Sequence, residues 1–341
     1  APSTTTLPFL TAPVSVTGSY VIFDYMKIGP KDAADSDFGF YLTEGTHHVV
    51  LRNSEIFGNL NRVAAVALGS WGYTGSASVS NILITHNNIH NIGDVNATGD
   101  QDAHCIVVNG SDDNIWVTHN TISYCSGDGI QIEAQAGRRN FIRQIYFAKN
   151  YIHHNRQSGG WIKNASDVIF SQNVAHDFRL NNGGPGACYG FQYDAENVWF
   201  LFNEASFCNV GIAISGSLNT PGLYAFIFGN YIHDIEAQSP SDPYNSGAMV
   251  LRGGTNIYVA NNTIDRVNSG VNIPPGSSSV SYYNNIIANK TSSTVNDIYI
   301  EGSTPTLLKG NNIYSTNARF SGTTLEATSV SADPKFVSSS D

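Results

Sequence analysis

Apolar and polar residues alternate with period two in short runs along the chain, and one phrase keeps returning: an alternating apolar strand, an Asn, then a short apolar pair often followed by His. It appears as VVLRN at Asn53, ILITHN at Asn87, IWVTHN at Asn120, IYFAKN at Asn150, VIFSQN at Asn173, VWFLFN at Asn203, AFIFGN at Asn230, IYVANN at Asn262, VSYYNN at Asn285 and LLKGNN at Asn311. The intervals run from 23 residues (Asn150 to Asn173) to 34 (Asn53 to Asn87), the spacing of a solenoid whose loops vary in length. Between these signals lies a second strand that usually opens with Gly, as in GFYL at Gly39, GIQI at Gly129, GWIK at Gly160, GFQY at Gly190, GIAI at Gly211, GAMV at Gly247 and GVNI at Gly270.

Each coil therefore has at least two strands and two turns, and its inward side chains stack on those of the next coil to make one continuous core. The pattern predicts an all-β, right-handed parallel β-helix of about ten coils, with residues 1–341 as a single domain and a body on the order of 50 Å long. The alternation excludes a helical solenoid, and a propeller would need four strands in each period of about 40 residues. Residues 1–20 are expected to cap one end, because an open rung is an aggregation edge, and residues 320–341 to form a C-terminal tail. The repeated Asn suits a corner that needs left-handed backbone, and a stack of such amides hydrogen-bonds into a ladder. His90, His153, His176 and His233 each stand three residues after a repeated Asn and read as part of the repeat, not as metal ligands.

Composition narrows the function. Only 13% of residues are charged and the formal net charge is -10, so no basic stripe exists to neutralise phosphates, and nucleic acid is not an expected partner. No run of about 18 apolar residues offers a membrane span. The opening APSTTT lacks a charged-then-apolar leader and reads as a mature chain, so a secreted, extracellular or periplasmic monomer is expected. Cys105 and Cys125, and Cys188 and Cys208, are each 20 residues apart, with no CxxC zinc spacing. The 188/208 pair falls within disulfide reach on successive rungs, whereas the 105/125 pair fits two reduced, buried cysteines better.

Chemistry concentrates in residues 99–133. Ile106 and Ile130 occupy equivalent strand positions, so His104 and Asp128, each two residues earlier, are expected to be vertical neighbours, with Asp102 on the same outward face. Two carboxylates and an imidazole that close together have raised or split pKa values and can do acid–base work or hold a cation. The run Ser111-Asp112-Asp113-Asn114 reads as a turn. Gln131, Arg156, Trp161, Gln192, Tyr193 and Arg252 are assigned to substrate, the aromatics for stacking on sugar rings, with Tyr189 as a further stacking candidate.

The Asp102-Ala103-His104 triplet, with Asp128-Gly129 after it, resembles the Asp-Pro-His and later Asp-Gly arrangement of mannuronan C5-epimerases, β-helices that act on alginate. This chain has Ala103 in place of the Pro, and Gly99 where that family has a catalytic Tyr. Asp128-Gly129 followed by Gly160-Trp161-Ile162-Lys163 also resembles calcium-dependent pectate lyases, which implies Lys163 as base; Ca²⁺ held by Asp102 and Asp128, or a cation from Lys163, Arg156 or Arg252, would neutralise the substrate carboxylate. Both resemblances imply a polysaccharide as substrate partner, no organic cofactor, and C5 proton abstraction from a uronate by a lyase or epimerase centred on Asp102, His104, Asp128 and Lys163. Two alternatives stand beside it: a glycoside hydrolase using Asp102 with Asp128 or Asp112 with Asp113, and a non-catalytic polysaccharide-binding or surface protein.

Overall fold

In the computed structural model, which describes residues 7–11, 13–216, 224–277, 279–301, 306–315, 318–324 and 326–336, the alternating runs are parallel strands stacked into three sheets. Sheet I runs in twelve strands from Phe9–Leu10 to Asn312–Tyr314, sheet II in twelve from Val14–Val16 to Phe320–Ser321, and sheet III in eleven from Val21–Asp24 to Thr306–Lys309. Each coil visits III, I and II in turn, the parallel crossover geometry that runs right-handed. The fold is the parallel β-helix that the alternation implies. The Gly-opened strands are sheet II, the strands leading to each Asn are sheet III, and the short apolar pair after the Asn is a strand of its own, sheet I.

The coil count exceeds ten because the first two coils, which enter sheet I at Phe9 and Lys27, carry no ladder Asn. The strands Phe9–Leu10 and Val14–Val16 come from the stretch assigned to a cap, of which residues 1–6 and 12 lie outside the described residues. At the other end the tail covers the last rung: Val330 N donates to Asn311 O at 2.8 Å, and Asn311 N donates to Ser329 Oγ at 2.9 Å. Val337–Asp341 lie outside the described residues.

Inward columns show how the core is filled. Ile56, Ile89, Ile122, Ile152, Ala175, Ala205, Ile232, Ile264, Ile287 and Ile313 stand in register along sheet I, all buried. Where this column narrows to Ala175 and Ala205, Phe178 at the end of the Ala175 strand and Phe170, Tyr189 and Phe200 from the other two sheets fill the core, keeping its packing density. Each such side chain contributes about 1.5–3 kcal/mol by burial.

The corner between sheets III and I buries backbone that the sheets leave unpaired, and the Asn ladder satisfies it. Asn150 N and Nδ2 both donate to Asn173 Oδ1 at 3.0 Å, and Asn173 Nδ2 donates to Phe147 O at 2.9 Å. The same set repeats from Asn87 to Asn311. Two expectations are corrected here. The left-handed residue is not the Asn but the one before it, as at His86, His119, Lys149, Gln172 and Phe202, with φ between 55° and 56°. Asn53 is one of these left-handed residues, and Ser54 occupies the ladder position, its N donating to Asn87 Oδ1 at 3.0 Å.

Both cysteine pairs are disulfides, Cys105–Cys125 and Cys188–Cys208, with Cα separations of 5.5 and 5.9 Å. The reduced 105/125 pair is thus corrected: each bridge joins the start of a sheet II strand to the end of the sheet I strand one coil on, and the two bridges are built alike. The Ser111–Asn114 turn is also corrected. Asp112–Thr118 is a sheet III strand, and Asp112 is fully buried, its carboxyl pushed well above the usual range by burial and by Glu44.

Asn173→Ala should remove four ladder hydrogen bonds and leave the buried Asn150 N–H without its partner. A loss of roughly 3 kcal/mol in unfolding free energy is expected, measured by urea denaturation.

Candidate active site

The site lies on the outer face of sheet II, where the turn from sheet I breaks the alternation. Cys105 and Ile106 are consecutive and both face the core, which turns His104 outward. One coil on, Gly129 and Ile130 repeat this pair, because a Cβ at Gly129 would press on Ile152 and on Asn155 Nδ2. Asp128 is thereby turned outward too. Ile106 pairs with Ile130, as the vertical register requires, and Asp128 N donates to His104 Nδ1 at 2.8 Å. That contact needs a glycine at 127, where any Cβ would collide with the His104 ring.

Since Nδ1 accepts, the His104 proton sits on Nε2. Asp128 Oδ2 is 3.6 Å from Nδ1, and Asp102 Oδ1 is 3.9 Å from Nε2, so the two carboxylates flank opposite edges of the imidazole. Gln131 completes the set. One orientation of its amide places Nε2 3.4 Å from Asp128 Oδ2. The other donates to Glu133 at 2.9 Å and accepts from Lys163 Nζ and His104 Nε2, both at 3.2 Å; it gives each atom a complementary partner and is adopted here. Lys163 Nζ is 3.1 Å from Glu133 Oε2.

Burial dominates the electrostatics. It pushes Asp128 up to about 7, against the opposing pull of Lys163, with Asp102 adding to the rise. It pushes His104 down to about 4, opposed by Asp102 and aided by Lys163. Glu133 is also raised by burial, with Lys163 acting against it. Near neutral pH the centre therefore holds a neutral imidazole with a fixed tautomer and a carboxyl group divided between acid and base forms.

Asp102, Asp128, Trp161, Lys163 and Gln192 line one cavity of about 220 Å³, together with Asp100, Gln157 and the 183–185 turn. A second cavity of about 300 Å³ continues the groove past Trp161 and Gln192 to Ser215, Tyr244 and Arg252. Glu133, Lys163, Gln192, Ser215 and Arg252 form one register column, which places Arg252 three rungs, roughly 14 Å, from Lys163.

Several assignments change. Trp161 is 6% exposed, lying flat over Gly190, where any Cβ would collide with its ring, so it is a groove floor and not a free stacking face. Tyr189 is a core residue whose Oη donates to Glu204 O at 3.0 Å. Tyr193 is exposed but lines a separate depression with Trp71 and Glu133. Arg156 is buried behind the cavity wall, its Nε donating to Ala97 O at 3.1 Å. Lys163 is ion-paired with Glu133, and buried Asp112 is not available as half of an acid–base pair with Asp113.

Sequence reasoning missed Gln157, whose Nε2 donates to Asp100 at 2.7 Å and to Asp102 at 2.9 Å, and Glu133. The register arithmetic that paired His104 with Asp128 also pairs Glu133 with Lys163.

No protein-family model and no curated protein matches the sequence. Among solved structures, the fold is similar to the A-module of the mannuronan C-5 epimerase AlgE6 of Azotobacter vinelandii, at 15% identity and a TM-score of 0.55, covering 92% of this chain and 89% of that one.

The raised Asp128 pKa has a stability consequence with a definite sign. A carboxyl raised on folding contributes fully below its unfolded value of 3.8, and that contribution is lost as pH rises through about 7. Asp128→Asn is therefore expected to raise Tm by roughly 5 °C at about pH 8 and by no more than about 1 °C near pH 4. Calorimetry of both proteins across that range checks it.

Proposed function

We propose that the protein acts on a uronate-containing polysaccharide, moving the C5 proton in β-elimination or in the related C5-epimerisation. The observation that carries this reading is the placement of one carboxyl group poised near neutrality beside an ion-paired ammonium, on the floor of a groove that runs along the rungs. A polymer lying along sheet II would meet Lys163, Gln192 and Arg252 in succession, and its carboxylates would find a cation at each end of that column.

In this scheme Lys163 neutralises the uronate carboxylate, which lowers the barrier to removing the adjacent C5 proton. Asp128, in its carboxylate form, takes that proton, and the electron pair of the C–H bond moves into the enediolate held by Lys163. From there the pair either expels the O4 substituent, which leaves with a proton and gives a 4,5-unsaturated sugar, or returns to C5 with a proton delivered on the opposite face. Asp102, on the exposed side of the imidazole and held by Gln157 Nε2, is suited to orient the solvent water that supplies that second proton. His104 is a positioning residue: its Nδ1 holds the Asp128 backbone and its Nε2–H faces Asp102 and Gln131. No tyrosine is among the described residues lining the cavity, so a phenol has no part in the scheme.

The donor set does not suit Ca²⁺, which takes six to eight oxygen ligands. The Lys163 ammonium shares this cavity, and Asp128 gives up its proton only near neutrality. Lys163 supplies the positive charge instead.

One observation favours hydrolysis as a second reading: Asp100, Asp102 and Asp128 line the same cavity, and a carboxyl group pushed to about 7 suits a general acid. Two disulfides fit an oxidising, extracellular or periplasmic location, and among the described residues no helix is long and apolar enough to cross a membrane.

The deciding experiment incubates the protein with polymannuronate, polyguluronate and polygalacturonate, with and without EDTA. It follows unsaturated-uronate absorbance, reducing ends and exchange of the C5 proton with solvent. Absorbance or C5 exchange is expected, insensitive to EDTA, and reduced at least about 100-fold in Asp128→Asn. Reducing ends without absorbance would replace the proposal with hydrolysis, and silence in all three would leave a binding protein.

A further inference from the structure

Sheet I carries a second cluster that the proposed reaction does not use. In two successive coils, columns of the sheet and of its left-handed corner bring together His153 with His154 and His176 with Asp177. The rungs on either side place Ser123-Tyr124 and Ser206-Phe207 at these positions, so the cluster is bounded. Asp177 Oδ2 is 2.5 Å from His176 Nδ1 and 3.8 Å from His154 Nε2, and ligand atoms of these three residues all lie within 4.8 Å of one another.

The same His-Asp dipeptide recurs at His233-Asp234, and the comparison is informative. There the carboxylate is closed by Arg266, whose Nε and Nη2 each donate to Asp234 at 2.8 Å. At Asp177 the ion-pair partners among the described residues are the two imidazoles. Tyr151 Oη, 2.8 Å from His176 Nε2, fixes the ring so that Nδ1 points at the carboxylate, the outer support that metal-binding histidines use. His153 stacks on His176 with ring centroids 5.4 Å apart.

We propose that His154, His176 and Asp177 bind a borderline divalent transition-metal ion of the Zn²⁺ type on the sheet I face. Bonds of about 2.0 Å in tetrahedral geometry separate ligand atoms by roughly 3.3 Å, a value the two present distances bracket, so modest side-chain rotation forms the site. His154 is partly exposed, which leaves an entry path and an open coordination position for water. The ion ties together the roots of the two turns that wall the sheet II cavity, one carrying Gln157 and Ser158 and the other Gly183 to Pro185. The inference is independent of the reaction assigned to that cavity.

Calorimetric titration of the EDTA-stripped full chain with ZnCl₂ tests it, with Co²⁺ absorption as a second readout. One bound ion per chain is expected, with visible ligand-field bands for Co²⁺. His154→Gln and Asp177→Asn should each weaken binding at least about tenfold, while His90→Gln, a lone imidazole on the same sheet, should leave it unchanged. The proposal fails if the wild type takes up no Zn²⁺ below about 1 mM, or if both site variants bind as the wild type does. Should a variant not fold, the wild-type Co²⁺ spectrum decides alone: tetrahedral bands with nitrogen ligation support the site, and the spectrum of the hexaaquo ion overturns it.

Discussion

Everything in this molecule depends on the parallel hydrogen-bond repeat of about 4.8 Å between coils, held at one corner by the asparagine ladder. A parallel stack without such a corner has no fixed register where the chain turns, because loops between 23 and 34 residues apart do not impose one. The ladder does. Each Asn pairs the backbone and amide of its neighbour, so a slip of one residue would strand several buried polar groups at every coil. With register fixed, a residue's vertical neighbours follow from its position alone, and the outer surface becomes a set of columns.

The candidate site in the sheet II groove follows from one local departure from that regularity. Alternation alone would place His104 beside Ile106 in the core. Two consecutive inward residues at the turn, Cys105 with Ile106 and Gly129 with Ile130, reverse the phase and bring out His104 and Asp128. The Cys105–Cys125 bridge pins this turn to the next coil. What emerges is only just outside: both side chains remain nearly covered, at 4% and 3% exposure, and this burial moves Asp128 and His104 away from their ordinary titration ranges. The same burial that holds the carboxyl near neutrality makes its ionised form unfavourable to folding.

Much of the fold was legible because the ladder leaves a chemical signature: a buried amide stack tolerates little except Asn, so the repeat shows in the sequence. The left-handed position before it carries Asn or Gly at 53, 229, 261, 284 and 310 but His, Lys, Gln or Phe at 86, 119, 149, 172 and 202, since solvent-facing side chains there need only tolerate positive φ, so its signal is diluted. Sheet I was hidden by its length, strands as short as Tyr151–His153 offering too few residues for alternation to register. Of the site, the stacking of His104 and Asp128 could be deduced from register, whereas Gln157 reaches Asp100 and Asp102 from a turn whose path no periodicity encodes. Trp161 was misjudged because burial of an outward aromatic depends on its neighbour, here Gly190 one rung away, and not on its own strand.

The columns also separate what a residue type means from where it occurs. Histidine follows the ladder Asn by three residues at positions 90, 153, 176 and 233, identical in local sequence terms, yet its surroundings differ with the rung above and below. His90 faces Glu55, His233 faces Glu204 and an Asp234 already neutralised by Arg266, and His176 faces an aspartate that it shares with a second imidazole. Repeat position sets the backbone and the direction of the side chain; the adjacent coils set its chemistry. In a solenoid the informative unit is therefore the pair of stacked rungs, and a motif read along the chain acquires a function only when its vertical neighbours are read with it.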